Sequence, residues 1–193
     1  MEKLTPTDLL PLEQYARGRD AFRKRVLAHK RNRHISVGPH TSWLFEDRLT
    51  IQYQVQEMLR AERIFEPEGI VDELAAYNPL IPDGRNWKVT LLIEFPDPAE
   101  RARQLALLMG IEDLCWVQVS GHGKVLAIAD EDLERENDEK TSAVHFLRFD
   151  LHPQMIASLR ASAALSVGID HLHYRHVVAP VPDSIRSALC ADF

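Results

Sequence analysis

The stretch AVHFLRFDL, residues 143–151, decides how this chain folds. Leu147, Phe149 and Leu151 alternate with Arg148 and Asp150, and a period of two marks a strand with one buried face. Outward from it, WKVTLLIEF (87–95) reads as another strand, closed by Pro96. LCWVQVSGHGKVLAIAD (114–130) reads as two strands joined by a Ser120-Gly121-His122-Gly123 loop. SVGIDHLHY (166–174) reads as a last strand. Helical stretches separate them: DPAERARQLALLMG (97–110), with Asp97 as cap and Pro98 at the first position, and PQMIASLRASAAL (153–165). PDSIRSALCADF (182–193) reads as a C-terminal helix, and the hairpin-length connections favour antiparallel pairing.

The first eighty residues have a different period. Phe22, Val26 and Leu27 stand at helical spacing among Arg and Lys. RHISVGPHTSWLFED (33–47) switches to alternation around Gly38-Pro39, which is a hairpin pattern. RLTIQYQVQEMLRAERIF (48–65) returns to helix, and PEGIVDELAAY (67–77) follows with Pro67 in its first turn. The expected class is α+β: a helical part with a hairpin over 1–80, then a mainly antiparallel, sheet-rich part with packed helices over 81–193, forming a single domain.

With 193 residues, 45% hydrophobic and 27% charged, the chain can bury about 70% of its unfolded surface without staples. Its two cysteines, Cys115 and Cys190, form no CxxC, which argues against an iron–sulfur or thiolate zinc site and for free thiols in a reducing cytoplasm. No signal peptide or apolar run long enough for a membrane span is present. A net charge of −6 argues against a general nucleic-acid binder. No GxSxG, HExxH, GxGxxG or P-loop occurs.

Three groups of residues carry candidate chemistry. GIDHLHYRH (168–176) gathers three histidines and an aspartate. If 166–174 is extended, His171 and His173 point the same way with Cα atoms about 6.6 Å apart, a start for a zinc or iron site. His145 on AVHFLRFDL is a candidate third ligand. Glu62 is another, since steps of four and three from Ile51 through Val55 and Met58 put it on an apolar stripe ending at Phe65. A carboxylate there must be paired, neutralised or metal-bound. The third group lies in and beyond the basic block 23–34: Arg31, Arg33 and His40 near the hairpin are candidates for binding an anion or an acidic partner.

Five stretches together resemble a known family: AHKRNRHISVGPH (28–40), FEDRLTIQYQVQEMLRAERIF (45–65), ELAAYNPLIPDGRNWKVTLLIEF (73–95), ADEDLERENDEKTSAVHFLRFDL (129–151) and GIDHLHY (168–174). It is a bacterial family of about 190–200 residues, catalogued as a domain of unknown function. The resemblance implies a single-domain protein and supplies no catalytic residues. Members tend to be encoded beside rubrerythrin-like and iron–sulfur oxidoreductase proteins, which implies a role near peroxide defence or electron transfer. Members often read Asp-His-Pro-x-Tyr where this chain has Asp170-His171-Leu172-His173-Tyr174, so His173 is a departure. Three readings follow: a non-catalytic accessory of a redox or oxidative-stress system with such proteins as partners, a small iron or zinc protein or metal-dependent enzyme, and an anion or small-ligand module.

Overall fold

A computed structural model of the chain describes residues 2–131 and 140–193. The acidic connector expected to be exposed between Asp130 and Ser142 falls mostly outside these residues. Among the described residues, the chain runs α1 (Leu12–Lys30), β1 (His34–Ser36), β2 (Thr41–Glu46), α2 (Arg48–Glu62), α3 (Pro67–Tyr77) and β3 (Asn86–Ile93). Then come α4 (Pro98–Leu107), β4 (Cys115–Val119), β5 (Lys124–Leu126), β6 (Ile128–Ala129) and β7 (Val144–Asp150). The chain closes with α5 (Pro153–Arg160), β8 (Leu165–His171), β9 (Tyr174–Val178) and α6 (Asp183–Cys190). None of the described helices is long and apolar enough to cross a membrane.

The α+β architecture stands, and the strands divide between two sheets. Five strands pair in the order β1-β2-β3-β7-β6 and four in the order β5-β4-β8-β9, with every pairing antiparallel. The N-terminal hairpin is thus the edge of the first sheet, not a separate unit. The split occurs at Ala127, between β5 and β6, where the chain leaves one sheet and joins the other. Inward residues of both sheets merge in one hydrophobic cluster: Trp43, Trp87, Val89, Leu91, Leu147 and Phe149 from the first, Val117, Val167 and Ile169 from the second. A second cluster of Ile51, Val55, Leu59, Leu74 and Ile81 lies under α2 and α3.

Local chemistry sets the element ends. Asp47 caps α2 by accepting from the Leu49 and Thr50 amides at 3.0 and 2.9 Å. Asp97 caps α4 by accepting from the Glu100 amide at 2.7 Å, with Pro98 next, as the sequence predicts. Gly38 turns the β1–β2 hairpin at φ +79°, and a Cβ there would sit 2.6 Å from His176 and Tyr174 side-chain atoms. Only glycine fits that turn and that approach.

Two contacts tie the N-terminal hairpin to distant chain. Arg33, with 2% of its surface exposed, donates to the Phe45 and Glu46 carbonyls at 2.8 and 3.2 Å and to Asp192 at 2.5 Å. Burial pushes the Asp192 carboxyl up to about 6 even though Arg33 pulls it down, so at neutral pH it still serves as the anion. The Tyr174 hydroxyl donates to the Val37 carbonyl and accepts from the His40 amide, each at 2.9 Å.

Breaking a buried pair by removing one partner costs about 3–5 kcal/mol, because the other charge stays buried. Arg33→Met should show that loss in urea denaturation, and adding Asp192→Leu should recover most of it. Equal losses in the single and double variants would show that the pair is not the source. Tyr174→Phe removes both hydroxyl bonds and should cost about 1–2 kcal/mol in the same experiment.

Candidate functional site

Strand β7 carries the site. Its alternation sends His145, Leu147 and Phe149 to the buried face and Val144, Phe146, Arg148 and Asp150 to the other. His145 therefore holds a core position, opposite Leu91 of β3, and none of its surface is exposed. A buried imidazole must have partners. Its Nδ1 lies 2.6 Å from a carboxylate oxygen of Asp130, the residue just after β6. Its Nε2 lies 3.1 Å from the Ser142 carbonyl, 2.9 Å from the Thr141 hydroxyl and 3.8 Å from a carboxylate oxygen of Glu112. Glu112 begins a turn of 3-10 helix (Glu112–Leu114) just before β4 and is itself buried.

Nδ1 faces the Asp130 carboxylate and Nε2 faces the Ser142 carbonyl, and two such acceptors favour the protonated ring. Burial alone would lower the affinity of His145 for its proton. The Asp130 hydrogen bond and the charges of Glu112 and Asp130 outweigh it and raise the pKa above the ordinary histidine value. The imidazole thus sits between two carboxylates, and one ligand atom from each of the three residues lies within 4.8 Å of the other two. Asp130 reaches the ring from φ +46°, a left-handed conformation that aspartate tolerates, and its second oxygen accepts from the Phe146 amide at 2.9 Å.

The other expected ligands are not part of this cluster. Residues 166–174 do not form one strand: β8 ends at His171 and β9 starts at Tyr174, so Leu172 and His173 form the turn and the two histidines do not share a strand face. His171 is buried, its Nε2 donates to the Met109 carbonyl at 3.1 Å, and its Nδ1 accepts from the His173 amide at 3.2 Å. Both nitrogens are used, and burial holds its pKa below the ordinary value. His173 is exposed in the turn, its ring centre 5.8 Å from that of His171. Glu62 is exposed at the last turn of α2, because the buried stripe runs Ile51, Val55, Leu59 and leaves Met58, Glu62 and Phe65 beside it. Steps of four drift round a helix, and Arg63 ends it in the left-handed conformation before the stripe returns.

The anion candidates also separate. Arg33 faces the core, where it is partnered by Asp192 and backbone carbonyls. Arg31 is exposed past the end of α1. His40 is half-buried, stacked on Phe95 with ring centres 4.1 Å apart. Cys115 is fully buried, as its strand pattern predicts, and burial pushes its thiol well up.

Glu112 and Asp130 were not legible as site residues. Asp130 reads as the start of an acidic run, and nothing local links either to His145. The one available signal is His145 itself, a polar residue in phase with Leu147 and Phe149.

Comparisons with known proteins complete the picture. A search of curated proteins returns no match. A crystal structure of a "novel protein of unknown function" from Burkholderia pseudomallei K96243 is similar at 49% identity, with a TM-score of 0.95 over 100% of both chains. The profile described as "Protein of unknown function (DUF3501)" matches residues 3–193, and the chain belongs to that family.

Proposed function

We propose that this is a small metal-binding protein whose centre is built by His145, Glu112 and Asp130. The observation that carries the reading is the convergence of one ligand atom from each within 4.8 Å. Ligands bound to one ion at roughly 2.0–2.2 Å stand about 3–4 Å apart, so a slight contraction suffices. One imidazole and two carboxylates suit zinc, ferrous iron or manganese. A metal ion competes with protons for the imidazole and the carboxylates, so uptake releases protons and weakens as pH falls.

The ring has no exposed surface, and a hydrolytic centre keeps a position open to water and substrate. A closed centre suits a structural or electron-carrying role better than hydrolysis. With the gene setting implied by the family resemblance, this supports a non-catalytic cytoplasmic accessory of a redox or oxidative-stress system, with iron the first metal to test. A rubrerythrin-like or iron–sulfur protein is the partner that this reading expects.

Protein made without a histidine tag, stripped by chelator and reloaded with ferrous iron or zinc, should retain about one ion per chain by elemental analysis. Glu112→Gln keeps the shape but removes a charge and should weaken retention about tenfold or more. His171→Ala should leave it unchanged. Trace metal in the wild-type protein, insensitive to Glu112→Gln, would remove the proposal.

A further inference from the structure

The opposite face of β7 borders a cavity of about 520 Å³ between the helices and the first sheet, within the usual range for small-molecule sites. Met58 of α2, Tyr77 of α3, Leu80 and Phe146 give it apolar walls. Three charged side chains supply its chemistry. Glu73 of α3 lines the cavity, and its Oε2 is buried with no hydrogen-bond donor among the described residues. Lys88 of β3 and Arg148 of β7 stand directly opposite each other in the strand register, a like-charge pairing that needs an anion. Glu131 supplies one: it binds Arg148 through two bonds of 2.8 Å, while Lys88 is held more loosely at 3.6 Å. Burial lowers the Lys88 pKa, and burial with the charges of Glu62 and Asp72 raises that of Glu73.

Among the lining side chains Glu73 and Glu131 balance Lys88 and Arg148, with Asp150 pairing Arg148 from beside the cavity, so the lining favours a neutral or zwitterionic guest. A shielded carboxylate oxygen calls for an N–H donor, and an ammonium with spare donors calls for a carboxylate. The apolar walls call for a hydrocarbon body. We propose that this cavity binds a free α-amino acid with a large aliphatic or aromatic side chain. Its ammonium meets Glu73, its carboxylate meets Lys88 beside Arg148, and its side chain packs among Met58, Tyr77, Leu80 and Phe146. The site lies on the face of β7 opposite His145 and does not depend on a metal there.

Isothermal titration of the full chain with L-leucine and L-phenylalanine tests it. Phenethylamine, which keeps only the ammonium, and 3-phenylpropionate, which keeps only the carboxylate, serve as controls. At least one of the two amino acids should bind, and each control about tenfold or more weaker, since each lacks one charged bond. Glu73→Gln should abolish the advantage of L-phenylalanine over 3-phenylpropionate, and Lys88→Met its advantage over phenethylamine, with both variants folded by circular dichroism. Binding by neither amino acid, binding by a control as tight as that of the amino acid, or affinities untouched by both substitutions would each overturn the assignment.

Discussion

The register of β7 against β3 is the constraint on which both candidate sites depend. Leu91 faces His145 and Lys88 faces Arg148. Side chains alternate strictly along a strand, so a slip of one residue would send His145 outward and drive Arg148 into the core. The register is held from the buried side, where Leu147 and Phe149 pack with Trp43, Trp87 and Val89. The hydrophobic pattern that makes the fold is therefore also what aims a histidine inward and two cations outward.

The ends of the chain are closed by a different kind of contact. Arg33 lies just after α1 and Asp192 one residue from the C-terminal Phe193, yet they meet in the core. The guanidinium also meets two backbone carbonyls of β2, the Ala188 carbonyl and the Asp47 carboxylate, and Trp87 adds a bond to the Leu189 carbonyl of α6 at 3.0 Å. Buried charge is costly unless it is fully partnered, so this clamp specifies one docking of α6 more than it adds net stability. A hydrophobic patch would tolerate a shifted helix; a buried fork of donors does not.

Much of the fold was legible in the sequence because its signals are local. Period-two patterns located β3, β4 and β7, and Asp97-Pro98 located the start of α4. The misread parts were set by distant partners or by weak turn chemistry. Leu172-His173 contains no glycine, proline or asparagine, so the β8–β9 hairpin reads as one strand and its histidines as a facing pair. Arg33 sits in a basic block that looks solvated, and only Asp192, far along the chain, explains its burial. The carboxylates around His145 come from a 3-10 turn and a strand end, and no spacing rule joins them. Glu62 failed for a geometric reason: a stripe counted in mixed steps of four and three need not be the stripe that packs.

The dipeptide Asp130-Glu131 ties the two faces together. Asp130 holds the imidazole inside the core, and Glu131, the next residue, holds Arg148 and Lys88 outside it. Asp130 leaves β6 in the left-handed conformation, and the contacts of this pair lie on opposite faces of β7. Each residue is held by a charged partner on its own face. An ion that drew Asp130 away from the Phe146 amide would pull on the strand residue that walls the cavity. The buried histidine and the outer cavity are thus two chemically unlike candidate sites bordered by the same short piece of backbone.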